Sequence, residues 1–539
     1  MPGEAITNLF IMNIKPKHLI AIAVFVISFT ILLVTVPDYG LTWDEPYYIA
    51  HSNRLQKWFG LLIHNQAPFS DDAVTNLVQF DRYHNCHPPF YKISALFFKN
   101  LFGRYVFTNI LHQYRISTAF WSAIAVSILF LYLYRAYQSY TIAILGAALF
   151  FTVPRFFGHM HLFTTDVVIV NLYFLALYLF VFGENRLSAI FGGLFGGALL
   201  ASKFTGVLLF PILLLMAPCF KDRKDYARRV LIFIPATILG VVLFDIHMWV
   251  GFWQELFFYF GSVLDRESAA PISTLFFGKL YSFHLPWYQP MVMLSICIPL
   301  SIIVFVILSP LAGDFRRDRK YWTFEILPFI FLMTIFLLPK TPKHDGIRLF
   351  SLVWPYLILL SIRGVYGISH HLTRLSLKRI TAIGGQTAVK MRLILIVGTL
   401  MLILSLNVQA LVKYHPYQLS YYNSAIGGSA GAAQRGFTIS YWYEALNQPF
   451  LDKLKSVAKN DSVLIYSFPH SDILEYNKAL GLFNSRIKIV AEPQRADFLL
   501  VLNRIIGPQL SNYMIGKDIV ITASTPDNVW ILSLLTNNQ

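Results

Sequence analysis

Apolar residues run in long blocks along this chain, separated by shorter polar stretches. A bilayer core takes roughly 20 apolar residues per helix, somewhat fewer where the ends snorkel. Blocks of that kind fall at 18–36, 116–134, 139–154, 166–182, 187–201, 203–218, 230–246, 290–310, 322–339, 347–363 and 393–412. They predict eleven transmembrane helices. The fifth and sixth blocks are short, and the fifth is Gly-rich around Gly192, Gly193, Gly196 and Gly197. The first block has no small-residue cleavage signature and is long enough to span, so it reads as a retained helix rather than a removed signal peptide.

Three of the stretches between blocks are long: 37–115, 247–289, and everything from about 413 onward. The first holds apolar segments with cationic edges, Tyr47 to Phe59 and Tyr91 to Phe102, the pattern of helices lying in the membrane interface. After about residue 446 the character changes. Strand-like runs at Ser462–Phe468, Ile487–Val490, Phe498–Leu502 and Ile519–Thr522 alternate with a helical pattern such as Glu444–Ala458. This predicts two parts: a membrane module over 1–445 and a small soluble α/β domain over 446–539. No repeat of 20–50 residues is visible.

Composition excludes most alternatives. The chain of 539 residues is 56% hydrophobic and 13% charged, against roughly 25% charged in a soluble domain. A cytosolic enzyme, a disordered chain and a disulfide scaffold are ruled out. Lys and Arg number 44 against 28 Asp and Glu, a net charge of +16. The cations sit in short runs between the apolar blocks, as membrane topology requires, so nucleic acid is not an expected partner. Lys15 and Lys17, then Lys221 to Arg229, then Arg316 to Lys320, then Arg374 to Lys390 all fall on one side if eleven helices alternate. That side is the cytoplasm, which leaves the three long segments and the C-terminus outside. Cys86, Cys219 and Cys297 are too scattered for a disulfide framework or a zinc site.

Five short motifs carry candidate chemistry, all on the predicted outer side. Thr42-Trp43-Asp44-Glu45-Pro46 places two carboxylates at the lip of the first span, where desolvating them is costly. The same residues also suit a helix start, with Asp44 as cap, Glu45 in the first turn and Pro46 near the first position. Asp81-Arg82 and His87-Pro88-Pro89 follow in the same loop. The tandem prolines set the entry of the next helix, and His87 is a candidate partner for a carboxylate. Arg155-Phe-Phe-Gly-His159-Met-His161 leads into Asp166 at the mouth of the fourth span. His159 and His161 are candidate ligands for a divalent cation, because His-x-His puts both rings on one side of an extended strand. Lys203, in Ser202-Lys203-Phe204-Thr205-Gly206, lies between two apolar blocks and should snorkel or pair with an anion. Lys340-Thr-Pro-Lys343-His344-Asp345-Gly-Ile-Arg348 breaches the charge rule in a very short outer loop. A phosphate-bearing ligand accounts for these cations, since Arg binds phosphate bidentately and Lys as a point charge. A salt bridge to Asp166 or Asp44 is the other reading.

The Asp-Glu pair after the first helix, followed in the same loop by His-Pro-Pro, resembles the protein O-mannosyltransferase and aminoarabinose-transferase group (glycosyltransferase family 39-like). These are membrane glycosyltransferases of the GT-C fold class. Ser202 to Val207 is similar to that group's Lys-x-x-Gly element, and Tyr414 to Asn423, Gly427 to Gly436 and Tyr441-Trp442 look like a segment of bacterial members. The likeness covers about 20–445. It implies an all-α polytopic GT-C-like protein of about 11 transmembrane helices with a small C-terminal extracytoplasmic α/β domain.

It also implies inverting transfer of a sugar from a polyprenyl-phosphate donor to an acceptor hydroxyl of a protein, lipid or glycan, most simply at a bacterial plasma membrane. By carry-over Asp44 is the catalytic base, Glu45 its neighbour and Asp166 a second carboxylate. Lys203 and Arg348, with Lys343 and His344, would hold the donor phosphate, while His87, Arg82 and Trp43 shape the site. Two departures stand out. Arg348-Leu349-Phe350 replaces an Arg-Tyr element, and no extra lumenal barrel domain is evident, which weakens protein O-mannosylation specifically. The competing reading is a transporter or flippase of a lipid-linked or anionic substrate, whose usual internal repeats this sequence lacks.

Overall fold

The computed structural model describes residues 15–84, 87–264, 272–282, 284–312, 318–379, 385–458, 462–469, 472–483, 486–504 and 516–537. Every apolar block is helical, but the blocks differ in length. Among the described residues seven helices are long and apolar enough to cross a membrane: Pro16–Asp38, Ile110–Tyr137, Thr165–Phe182, Arg223–Phe244, Arg319–Leu337, Arg348–Arg374 and Gln386–Tyr414. The block at 290–310 is two helices, Gln289–Cys297 and Leu300–Leu311, bent by 119° at the break; counted as one span they make an eighth. Pro299 sits at that break, where it can carry no helical N–H bond. The remaining blocks form shorter apolar helices, Tyr140–Phe151, Arg186–Leu200 and Phe204–Leu215. On length and composition, then, seven or eight helices meet the criterion behind the expected eleven.

The bundle sorts its helices by the company they keep. In α1 (Pro16–Thr35), Leu19, Ile22, Val26, Ile27, Ile31 and Val34 are exposed, so this helix turns an apolar face outward where only lipid can cover it. Helix Thr165–Phe182 is apolar almost all round and buried through most of its length, and Trp354–Arg379 is buried over its apolar first half, the mark of a bundle centre. The Gly-rich block serves close packing. A Cβ on Gly193 would lie 2.4 Å from Phe233 O, and one on Gly197 2.5 Å from Gly240 Cα. Small residues at this spacing let Arg186–Leu200 and Arg223–Phe244 touch backbone to backbone.

The two ends of the bundle differ chemically. At one end Arg135 donates to Phe182 O (3.0 Å), Arg229 to Gly183 O (2.8 Å), and Tyr321 OH to Arg135 O (3.2 Å), with Lys320 over the Phe182 ring. This end gathers cations. The opposite end carries α2 (Glu45–Ile63), α3 (Asp71–His84), α4 (Phe90–Phe98), the short α5 (Pro154–His159), a small hairpin of β1 (Thr274–Phe276) and β2 (Lys279–Tyr281), and the C-terminal segment. Residues Tyr47 to Phe59 and Tyr91 to Phe98 are helical, as the amphipathic pattern implied.

The C-terminal segment builds a five-stranded sheet in the order β4-β3-β5-β7-β6, with β3 (Val463–Phe468), β4 (Ile487–Ile489), β5 (Phe498–Leu502), β6 (Ile519–Ser524) and β7 (Trp530–Thr536). β3 is parallel to β4 and to β5, while β7 is antiparallel to β5 and β6. Four of the five strands fall on the strand-like runs, and β7 adds a fifth. The sheet is tied to the membrane module by Asp527, whose carboxylate accepts from Lys413 (2.9 Å), Ser429 and Tyr414.

Candidate active site

Asp44 directly precedes α2, and its side chain makes no capping hydrogen bond. Pro46 in the first turn removes one N–H that would otherwise need a partner. The carboxylate is therefore free to leave the helix, and it accepts from Arg348 Nη1 at 3.0 Å. Glu45, about 100° further round the helix, goes the opposite way. Its carboxylate is fully buried and takes Arg115 Nε (2.8 Å), Arg115 Nη2 (2.7 Å), Thr42 N and Oγ1, and Phe163 N (2.8 Å). Glu45, expected as the catalytic neighbour of Asp44, here locks the loop after α1 to the start of Ile110–Tyr137 with five hydrogen bonds on its carboxylate.

Asp166 lies in the first turn of Thr165–Phe182, where the helix dipole favours a negative charge. It accepts from Lys203 Nζ at 2.7 Å and pairs with Arg348 Nη1 at 3.5 Å. Arg348 also reaches Asp345 at 3.0 Å, because Asp345 and Gly346 both have positive φ and turn the loop back on itself. Asp345 in turn accepts from Arg504 at 3.0 Å, and Arg504 also donates to Tyr441 O (2.8 Å) and stacks over Trp43 at 4.5 Å. Arg348 lies over Trp442 at 4.7 Å. Three carboxylates and three cations, drawn from the loop after α1, the helix at 165, the turns at 203 and 345, and the end of β5, thus form one continuous charge-balanced cluster.

Among these carboxylates Asp44 is the accessible one, with 22% of its side chain exposed against 5% for Asp166 and 2% for Asp345. Burial pushes the Asp44 carboxyl above the ordinary range; Arg348 opposes this, while Asp345 and Asp166 add to it. Burial also acts upward on Asp345, but Arg504 and Arg348 outweigh it and hold that group below the ordinary range. Asp44 is thus the most basic carboxylate exposed at the cluster.

The other expected residues are scattered. Trp43 belongs to the cluster through Arg504. Lys343 does not: its ammonium donates to Leu338 O (2.6 Å) and Thr341 O (3.0 Å), closing the end of Arg319–Leu337, and burial lowers it to about 8. Lys343, expected at the donor phosphate, thus stands here as a cap on that helix end. His344 is buried beside Asp345, on which its charge acts. His87 meets Lys92 through its carbonyl (3.0 Å). Arg82 lies in α3, with its side chain outside the described residues. His161 has both ring nitrogens engaged, by Phe157 O (2.7 Å) and Thr35 Oγ1 (2.7 Å), so it forms no ligand pair with His159. His159 bonds Tyr441 OH at 2.9 Å, and burial pushes its imidazole down to about 3. Among the described residues no group of three His, Cys, Asp or Glu is placed to hold an ion.

Three residues at or beside this cluster, Asp345, Arg115 and Arg504, were not among the candidate site residues. Asp345 had a signal, the Asp-Gly turn dipeptide inside a basic loop. Arg115 had one too, as a lone charge at the start of an apolar block. Arg504 had no local signal that sets it apart, whereas Tyr441 belongs to the Tyr441-Trp442 pair that carried the family resemblance.

A helical bundle with chemically opposite ends thus carries a buried carboxylate–cation cluster at one of them, and among its described helices seven are long and apolar enough to cross a membrane. Residues 87–249 match the family model described as dolichyl-phosphate-mannose-protein mannosyltransferase. The crystal structure of ArnT from Cupriavidus metallidurans in the apo state is similar over 96% of this chain and 98% of that one, at 11% identity and a TM-score of 0.51. ArnT bound to undecaprenyl phosphate gives 0.48 at the same identity and coverage. The archaeal oligosaccharyltransferase AglB from Archaeoglobus fulgidus gives 0.42 at 12% identity, over 98% of this chain and 75% of that one. No curated protein matches the chain by sequence.

Proposed function

We propose that this protein transfers a sugar from a polyprenyl-phosphate donor to an acceptor hydroxyl at the extracytoplasmic face of the membrane. The observation that carries this reading is the convergence of Asp44, Asp166, Lys203 and Arg348 into one ion-paired cluster at one end of the bundle. Asp44 takes the proton of the acceptor hydroxyl as general base. The acceptor oxygen bonds to the anomeric carbon as the bond from that carbon to the phosphate oxygen breaks, with inversion. The lipid phosphate leaves with the bonding pair. Arg348 and Lys203 supply the positive field into which that charge develops, and Asp166 holds both in place. The matched family model, named for a dolichyl-phosphate sugar donor, supports the donor class.

The orientation follows from the cation-rich end. With Arg135, Arg229 and Lys320 in the cytoplasm, as the charge rule favours, the Asp44 cluster and the C-terminal sheet face outside in this reading, and the membrane proposed is a bacterial plasma membrane. The short helices fit eleven passes in this reading. Lys203 at one limit of Phe204–Leu215 joins the Asp166 cluster, while Cys219 beyond its other limit bonds Lys320 O at 3.5 Å. The test is transfer from radiolabelled polyprenyl-phosphate sugars to a panel of protein, lipid and glycan acceptors by the reconstituted protein. An Asp44→Asn variant that melts like wild type, binds donor and transfers sugar at the wild-type rate would sink this mechanism. Movement of lipid across vesicles without transfer would favour a flippase.

A further inference from the structure

Arg155 stands in the first turn of α5, just behind the cluster. It is fully buried, its Nε donates to Tyr421 O at 2.8 Å, and its guanidinium lies over the Tyr422 ring at 4.5 Å. Neither Nη1 nor Nη2 has a hydrogen-bond partner among the described residues. A guanidinium carries five N–H donors; the buried Glu444 carboxyl feels its charge but bonds neither Nη, so these donors are costly to hold unmet. Such a group is stable only if something anionic or strongly polar shares its pocket.

Its position says what that is. A Cβ on Gly346 would lie 2.7 Å from Arg155 Nη1 and 3.1 Å from Tyr441 Cε1. The loop that carries Asp345 and Arg348 therefore passes directly over the guanidinium, and only a glycine lets it come so close. In the cluster in front, each cation already has a carboxylate: Lys203 has Asp166, Arg504 has Asp345, and Arg348 has Asp44 and Asp345. Arg155 forms no ion pair among the described residues, and its free N–H edge is of the planar kind that matches two oxygens of a phosphate.

We propose that Arg155 is the phosphate anchor of this site, its Nη1 and Nη2 holding two oxygens of the lipid-linked phosphate while Arg348 and Lys203 stay with their carboxylates. This rests on the reading that the site takes a polyprenyl-phosphate donor. It separates two duties: Asp44 and its paired cations handle the proton and the field, and Arg155 handles binding.

The experiment measures binding of undecaprenyl phosphate, of the uncharged polyprenol of equal length and of inorganic phosphate to the full chain in nanodiscs. Wild type, Arg155→Lys and Arg155→Gln are compared, with thermal melting of each. Wild type is expected to prefer undecaprenyl phosphate over the polyprenol. Arg155→Gln should lose roughly 10- to 100-fold in affinity for the phosphate and none for the polyprenol. Arg155→Lys, which keeps the charge but not the fork, should fall between. Should Arg155→Gln fail to fold, the Lys variant and Gly346→Ala, which pushes a methyl against Nη1, carry the same prediction of weakened phosphate binding. Unchanged phosphate preference in a folded variant overturns the assignment. Arg155-dependent binding of inorganic phosphate as tight as that of the lipid assigns the subsite to the free ion and overturns the lipid anchor. Sugar transfer by wild type with unchanged phosphate binding in Arg155→Gln sinks this inference alone, whereas Arg155-dependent binding without any transfer sinks the transferase reading alone.

Discussion

Glu444 offers the sharpest quantitative test of how this interior is built. It follows Tyr441-Trp442-Tyr443, its backbone carbonyl accepts from Gly40 N at 2.8 Å, and its side chain is fully buried with neither carboxyl oxygen hydrogen-bonded among the described residues. Burial raises this carboxyl from 4.5 to about 8, with its own backbone and Arg155 opposing only in part. The folded state thus holds the proton more tightly than the unfolded chain. The stability this contributes is fully present below pH 4.5 and is lost as pH rises toward about 8. A tenfold difference in proton affinity between the two states corresponds to about 1.4 kcal/mol, so by pH 8 the wild type has lost about 4 kcal/mol that a neutral isostere keeps. Glu444→Gln should therefore melt at nearly the wild-type temperature at pH 5 and clearly above it at pH 8. Intrinsic Trp fluorescence of both proteins in the same detergent measures this, and titration of all other groups cancels in the difference. A Gln variant less stable than wild type at pH 8 would refute the reasoning, because it would mean that the ionised carboxylate is paired with a cation such as Arg155.

Asp44→Asn should abolish transfer, and in the wild type the acid limb of kcat/KM against pH should lie above the ordinary carboxylate range, activity falling as the raised Asp44 carboxyl takes up its proton. Removing one partner of the buried Glu45–Arg115 pair, as in Arg115→Met, should destabilise the fold by about 3–5 kcal/mol, read by denaturant or thermal unfolding; lost activity with unchanged melting would instead return Glu45 to the chemistry. Arg504→Gln should lower kcat at least several-fold and, because it breaks a buried ion pair, also lower the melting temperature, since Asp345 is then left with Arg348 alone, and Arg504→Lys should recover part of both. Equal rates in all three proteins would show that the C-terminal sheet only sits beside the site.

Much of the architecture was legible because it follows from local physics. Lipid tolerates only backbone whose hydrogen bonds close internally, so long apolar blocks had to be helices wherever they packed. That rule located the seven long spans, and short apolar runs such as Phe498–Leu502 located strands. It did not see the bend at Pro299 or how short Tyr140–Phe151 would be, because the length of a helix inside a bundle depends on what its neighbours bury. Motif spacing likewise brought Asp44, Asp166, Lys203 and Arg348 forward, since a charge at the edge of an apolar block needs a reason to be there.

Which way each charge turns was decided elsewhere. Asp44 and Glu45 are neighbours of the same type, and nothing in their wording says that one faces Arg348 while the other disappears onto Arg115. The same holds for Lys343, turned into its own loop, and for Arg504, carried into the cluster just past the end of β5. Hydrophobic burial acts residue by residue and can be read along a chain. Ion pairing in a low dielectric depends on distances between segments hundreds of residues apart, and those distances exist only once the helices have packed.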